Sequence, residues 1–236
     1  MLLYYIRHGD PVYDPDSLTE KGRKQAEALS ERLCANGFDE IYSSTSMRAQ
    51  QTAAPTAKKL GKEVKLLDWC NEALVWQEFT KTTDGETRWF YQHEESRKVM
   101  ATQKTLSLGN DWYKQPYFAD TRVAEGLARV RINTYEFLSA LGYDKAADGN
   151  YYVADNPNDR RIALFAHEGF GMAFLSTLTG IPYATFCLHF GLEHSGVTVI
   201  RFDGTDFVVP CILQLSNDSH LYKSGLPLTY NNEIDV

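Results

Sequence analysis

The chain has 236 residues, of which 43% are hydrophobic and 23% charged, with a formal net charge of −7 at pH 7. That is enough chain to bury a sizeable core in one globular domain, and no apolar run is long enough to span a bilayer. The acidic balance speaks against nucleic acid as a partner, since backbone phosphates need a broad basic surface, so an anionic small ligand must be held by a local cluster of positive groups working against the overall field.

The first residues, MLLYYIRHGD, lack a basic leader and a cleavage pattern, so the expected location is cytoplasmic. Leu2 to Ile6 is a short continuous apolar run, as in a strand buried on both faces. "SLTEKGRKQAEALSERLCANG", starting at Ser17, reads as an amphipathic helix. Ala26, Leu29 and Leu33 share a face, Ser17 and Glu20 have capping-box spacing, and Gly37 follows as a stop. "FDEIYSS" is a second strand. "STSMRAQQTAAPTAKKLG" is a second helix capped by Thr45 or Ser46 and stopped at Gly61, with Pro55 expected to kink it or start a new turn. "EVKLL" is a third strand.

From Asp68 to about Asp120 the pattern turns irregular, and all four tryptophans, Trp69, Trp76, Trp89 and Trp112, lie there. We read residues 73–120 as an insert or lid within a single domain covering 1–236. Its aromatics are expected to form a satellite core, with Trp76, Trp89 or Trp112 as candidates for touching a ligand. Arg88, Arg97, Lys98 and Lys104 read as a solvated face. Val123 to Leu141 has helical periodicity and ends at Gly142. "DKAADGNYYVADNPNDR" reads as a surface loop. "RIALFAHEG" is a buried strand, and "FGMAFLSTLTG" a helix closing at Gly180 before Pro182. "GVTVIRFDGTDFVVPCIL" gives two strands joined by a turn at Asp203-Gly204, and the tail from Ser216 reads as loosely structured. The cysteines, Cys34, Cys70, Cys187 and Cys211, show no CxxC pair and read as small buried hydrophobes.

Strands and helices alternate, which predicts an α/β three-layer sandwich: a mainly parallel central sheet, helices on both faces and the inserted lid segment. Ligands of such sheets gather at the carboxyl ends of the strands. Arg7-His8-Gly9 and His167-Glu168-Gly169 both fall there, each directly after an apolar run, so the two histidines are expected to meet.

A neutral imidazole can attack phosphorus and split one hard transfer into two easier ones, provided its tautomer is fixed by a hydrogen bond to the other nitrogen. His8 is the candidate nucleophile, and Gly9 lets the backbone turn and approach a substrate. A transferring phosphoryl group spreads charge over three oxygens, which arginine forks suit well. Arg7 is adjacent, and Arg48 sits in the first turn of the second helix. His167 is expected to add a second cationic group, and the helix starting near Gly169 to aim its first amides at the same point. His93, His189, His194 and His220 lack a motif and read as structural, with His194 the strongest exception because its loop precedes a strand.

These parts resemble the histidine phosphatase superfamily, also called the phosphoglycerate mutase-like family. The resemblance rests on "RHG" at 7–9, "LTEKGRKQAEALSERL" at 18–33, "IYSSTSMRAQQTA" at 41–53 and "FAHEGF" at 165–170. It implies His8 as the phosphorylated residue and Arg7, Arg48 and His167 as the phosphate pocket, with Gly9 and Glu168 beside them completing the substrate-contacting set. It also implies a proton donor after the third strand, which "LLDWCNEAL" supplies as Glu72, with Asp68 and Glu78 as nearby competitors. No metal or cofactor is expected. The implied activity is metal-independent phosphomonoester hydrolysis on a small phosphorylated substrate. The alternatives are a phosphoglycerate mutase-type transfer and a phosphate-binding module without turnover. One departure bears on the mutase alternative: where that pattern continues RHG with Glu-Ser/Thr and a later Asn, this chain has Asp10, Pro11 and Asp14, and a carboxylate repels phosphate unless it points away.

Overall fold

The computed structural model describes residues 1–155, 157–230 and 234–235. Its main elements in chain order are β1 (Leu2–Arg7), α1 (Glu20–Cys34), β2 (Glu40–Ser44), α2 (Met47–Leu60), β3 (Val64–Leu67), α3 (Glu72–Phe79) and α4 (Glu94–Met100). They continue as α5 (Val123–Ala140), β4 (Arg161–Ala166), α6 (Glu168–Thr179), α7 (Tyr183–His189), β5 (Val197–Arg201) and β6 (Cys211–Asn217). The six strands form one sheet in the order β6-β5-β1-β4-β2-β3. The pairs β1/β4, β4/β2 and β2/β3 are parallel, whereas β1/β5 and β5/β6 are antiparallel.

Strand alternation divides the core into two layers. Leu3 and Tyr5 of β1, with Ile162, Leu164 and Ala166 of β4, join a cluster containing Phe137 of α5 and Phe170 and Phe174 of α6. Ile6, Ala163 and Phe165 face the other way, onto Leu29 and Leu33 of α1 and Ala53 and Ala57 of α2. The sheet is thus covered on both faces, as the α/β sandwich predicted from the sequence requires.

Several local expectations are corrected. Ser17 does not cap α1: it lies in a two-stranded ribbon of Pro11–Tyr13 and Asp16–Leu18, and Thr19 is the cap, its Oγ1 accepting from Gly22 N at 3.0 Å. Helix α2 runs through Pro55 unbroken and stops at Gly61, whose φ of 62° is left-handed, where glycine carries no Cβ penalty. The stretch expected to be irregular holds α3, the hairpin Thr80–Thr83/Glu86–Trp89, α4 and further short helical turns. Each is too short for a hydrophobic repeat to register. Its aromatics form no satellite cluster, because Phe79, Phe90, Trp112 and Phe118 are buried in the same cluster as Leu3 and Phe174.

The expected surface loop contains a short pair, Asp144–Lys145 with Tyr152–Val153, and buries Tyr152 completely. Strands β5 and β6 do pair, but through the longer connection 202–210 rather than a two-residue turn. The tail is ordered further than expected: β6 reaches Asn217, whose carbonyl accepts from Arg32 Nη1 at 2.8 Å, and a helical turn, Ser219–Lys223, follows. Cys70 and Cys187 are buried thiols, whereas Cys34 is half-buried and Cys211 exposed.

Candidate active site

Strand β1 keeps register with β4 through Arg7 and Ala166, and His8 N still donates to Ala166 O at 2.9 Å. The next two amides leave the sheet for helix side chains. Gly9 N donates to Thr52 Oγ1 of α2 at 3.0 Å and Asp10 N to Gln25 Oε1 of α1 at 2.7 Å. A Cβ on Gly9 would stand 2.8 Å from the Gly22 carbonyl oxygen, and one on Gly22 would overlap the Asp10 carbonyl. The strand therefore ends where two glycines let the backbone press against α1, and buried donors are satisfied by Thr52 and Gln25.

This turn orients His8. Its Nδ1 donates to Gly9 O at 2.7 Å, which leaves Nε2 with its lone pair, 3.2 Å from Arg48 Nε. The ring of His167, at the head of α6, lies 5.2 Å from that of His8 between centroids. Tyr5 holds the His167 backbone, receiving from its N–H at 3.2 Å and donating to its carbonyl. On the side chain, Nε2 is 2.8 Å from Ser44 Oγ and Nδ1 is 3.2 Å from Glu72 Oε2. Glu72 sits in the first turn of α3, behind the cap Asn71, and Oε1 also accepts from Phe170 N at 3.3 Å. A Cβ on Gly169 would stand 2.5 Å from Glu72 Oε1, so glycine is what gives the carboxylate its place.

Both arginines are buried and partnered. Arg7 Nη1 donates to Leu192 O at 2.5 Å and lies 3.1 Å from Glu168 Oε2. Its Nη2 is 2.8 Å from His194 Nε2. A guanidinium can only donate, so His194 carries its proton on Nδ1. Arg48 Nη1 pairs with Asp16 Oδ1 at 2.7 Å. Asp16 Oδ2 accepts from Ser46 Oγ at 2.6 Å and from Met47 N at 2.7 Å, capping α2 from outside. Against the cost of burial, the bonds from Ser46 and Arg48 hold the Asp16 carboxyl below its ordinary range.

Burial, then the neighbouring His167, Arg7 and Arg48, push the His8 imidazole well below its usual pKa. Burial and the two arginines do the same to His167. His167 is therefore neutral here rather than the cation expected from the sequence, because two buried guanidinium groups make a third positive charge costly. His194 is lowered to about 2, by burial first and Arg7 second.

All seven site residues expected from the sequence, Arg7, His8, Gly9, Arg48, Glu72, His167 and Glu168, meet at the carboxyl edge of the sheet. Glu168 enters as the partner of Arg7. The competitors of Glu72 are elsewhere: Glu78 forms a bidentate pair with Arg129 at 2.7 and 2.6 Å, and Asp68 is exposed. Asp14 is exposed too, while Asp10 lines the cavity and accepts from Thr19 Oγ1 at 2.5 Å.

No sequence signal marks Asp16, and Ser44 and Thr52 stand unassigned inside a quoted motif, whereas His194, the exception among the histidines read as structural, reaches the site. The His194 ring lies 5.7 Å from that of His8. His93 caps α4, His220 is buried against Ser195 Oγ at 3.0 Å, and His189 is exposed. Arg88, Arg97, Lys98 and Lys104 form a solvated face as expected.

Above these groups opens a cavity of about 880 Å³ walled by Tyr13, Trp76, Trp89 and Tyr91. Trp112, a sequence candidate for the same wall, is instead buried in the core. The site offers an unprotonated ring nitrogen, two guanidinium groups able to meet an anion, and a carboxylate across the cavity.

The sequence profile of the histidine phosphatase superfamily (branch 1) matches residues 3–114. The serine/threonine-protein phosphatase Pgam5, mitochondrial, of Drosophila sechellia is 45% identical over 65 residues; the match covers 25% of this chain and spans 22% of that protein's length. A mycobacterial glucosyl-3-phosphoglycerate phosphatase in complex with VO3 is similar in structure, at a TM-score of 0.60, 22% identity, and coverage of 91% of this chain and 98% of that one. A mutant phosphoserine phosphatase from Entamoeba histolytica in complex with phosphoserine gives a TM-score of 0.61 at 19% identity, covering 93% of this chain and 98% of that chain. The profile match, which spans just under half of the chain, and the shared fold agree with the placement of RHG, Arg48 and His167 at one strand edge: residues 3–114 match the histidine phosphatase superfamily.

Proposed function

We propose that this protein hydrolyses small phosphomonoesters, without a metal, through a covalent phosphohistidine on His8. The observation that carries the reading is the bare Nε2 of His8 facing Arg48 Nε at 3.2 Å with the ring of His167 5.2 Å away. In the first step the Nε2 lone pair forms the N–P bond as the P–O bond to the alcohol breaks, while Glu72, as the acid, protonates the leaving oxygen. Arg7, Arg48 and His167 hold the phosphoryl oxygens, where fixed donors lower the barrier most. In the second step the Glu72 carboxylate takes a proton from water, whose oxygen attacks phosphorus and releases His8 and inorganic phosphate. Two guanidinium groups meet the phosphoryl charge, so the scheme calls for no metal.

The relatives named above are themselves phosphatases, in keeping with this reading. We further read residues 73–120 as the insert that walls the cavity within a single domain 1–236. The four cysteines carry free thiols, which suits a reducing compartment, and we place the reaction in the cytoplasm. Among the described residues no helix is long and apolar enough to cross a membrane, and the charge of −7 disfavours nucleic acid as a partner.

The test is hydrolysis of an aryl phosphate in excess chelator by wild type and His8→Ala. Activity is expected to survive chelation and to vanish in the variant. Turnover retained by His8→Ala would remove His8 from the mechanism. A module that only binds phosphate would release none from a broad panel of esters.

A further inference from the structure

The proposed phosphoryl pocket occupies only the floor of the cavity, whose 880 Å³ falls in the range that houses a drug-sized ligand. The remaining space belongs to the alcohol, and its walls have a definite chemistry. Glu72 and Trp89 meet at one point. A Cβ built on Gly169 would come within 2.5 Å of Glu72 Oε1 and 2.6 Å of the Trp89 ring. A leaving oxygen protonated by Glu72 therefore has its first carbons beside Trp89. From there the aromatic wall runs on in both directions, with Trp76 edge-on to Trp89 at 4.9 Å and Tyr91 stacked on it at 5.8 Å. Trp76 keeps 37% of its surface exposed and lines the cavity.

Charge points the same way. Among the described residues lining the cavity, Arg7 and Arg48 are the only lysines or arginines, and both stand at the phosphoryl end, whereas Asp10, Asp16, Glu72 and Glu168 also face it. A phosphoryl dianion already draws on both cations. Apart from the side-chain amides of Asn71 and Gln92, a second anionic group on the substrate would meet carboxylates and aromatic faces, whose π clouds are negative.

Resting on the phosphomonoesterase reading, we infer that the alcohol released is flat and apolar, carries no anionic group, and is seated against Trp89 and Trp76. The site selects against substrates of the phosphoglycerate type, in which a carboxylate lies close to the ester, so the mutase-type alternative is disfavoured on the same ground.

The test compares benzyl phosphate with phosphoglycolate, esters of primary alcohols that differ in an aromatic ring against a carboxylate, with ethyl phosphate as the small reference. Benzyl phosphate is expected to exceed phosphoglycolate in kcat/KM by at least about tenfold, the scale on which a pocket discriminates by shape and polarity. In Trp76→Ala, and separately in Trp89→Ala, the benzyl-to-ethyl ratio of kcat/KM is expected to fall several-fold, chiefly through KM. The ratio is internal to each variant, so partial loss of folded protein does not affect it. Hydrolysis of all three esters with phosphoglycolate equal or preferred, or an unchanged benzyl-to-ethyl ratio in both variants, would overturn this assignment and leave the phosphatase reading standing. Hydrolysis of none of them would overturn both.

Discussion

Arg48 Nε donates to His8 Nε2 across 3.2 Å, so the cation that is to hold the phosphoryl group rests on the atom that is to attack it. Burial does most to keep the imidazole unprotonated, and the Arg48 contact adds to it, since a proton on Nε2 would face a guanidinium. The same Arg48 is tied to Asp16 at 2.7 Å, which fixes where it can move when an anion enters.

Arg48→Ala is expected to lower kcat/KM by about 100-fold or more, the usual scale for losing one fixed donor to transition-state charge. Arg48→Lys should recover little of it, because an ammonium cannot reproduce the fork shared between Asp16 and the anion. The His8 ring, followed by NMR, should titrate at higher pH in Arg48→Ala, since Arg48 is among the charges lowering it. An unmoved titration with full activity would show that the contact has no consequence.

The two glutamates of α3 separate by role. Glu72→Gln is expected to slow turnover most for esters with poor leaving groups, and equal loss across leaving groups would point to another acid. Glu78 pairs with Arg129, which also donates to Trp69 O at 2.7 Å. Glu78→Ala leaves Arg129 with its buried partner removed and should cost about 3 kcal/mol of stability in denaturant titrations. Glu72→Gln should stay within about 0.5 kcal/mol.

Two glycines predict opposite outcomes. At Gly22 a methyl group would overlap backbone, the Asp10 carbonyl, and backbone cannot step aside cheaply. The helix-propensity gain of about 1 kcal/mol for Gly→Ala is then outweighed by an overpacking cost of about 1–3 kcal/mol, so Gly22→Ala should lower the midpoint of unfolding. At Gly169 the methyl would meet the Glu72 carboxylate and the Trp89 ring, side chains that can move. Gly169→Ala should keep its stability and lose activity at least about tenfold as both groups are displaced. Measured unfolding midpoints and kcat for the pair decide it.

Stability should fall on acidification. His8 and His167 are pushed well below their usual pKa, His194 to about 2 and His220 to about 3. In the unfolded chain each takes up a proton near pH 6.5, but the folded state refuses it. Their contribution is fully present above pH 6.5 and is lost as pH falls from there toward the folded values. Each such group contributes a slope of about 1.4 kcal/mol per pH unit between those limits. His220 lies outside the cavity, buried by its surroundings and near Arg32. His220→Gln should retain activity and make the loss of stability between pH 6 and pH 4 shallower by about that slope. Parallel pH curves for the variant and wild type would show that His220 titrates normally in the folded state.

Much of the frame is local physics and is written in the chain itself. The period-two alternation of LLYYIR and RIALFA decides which side chains enter each layer, and helical spacing in 20–34 and 47–60 marks the faces of α1 and α2 that cover one of them. The abrupt change from apolar run to RHG and HEG locates the ends of two strands, and parallel pairing brings those ends together. That much brings Arg7, His8, Arg48 and His167 to one edge, and the resemblance to the superfamily adds Glu72. What remained depends on contacts between segments far apart in sequence, which no local period encodes. Asp16 sits in a ribbon too short to show alternation. His194 follows a helix whose end gives no hint of which way its loop turns, and the residues around Trp76 and Trp89 carry their structure in elements of a few residues. Only packing against α6, where Gly169 leaves room for both Glu72 and Trp89, turns that aromatic stretch into the wall of the cavity. The neutrality of His167 is likewise a property of the assembled site, because desolvation and two buried guanidinium groups act on it only once the chain has closed around them.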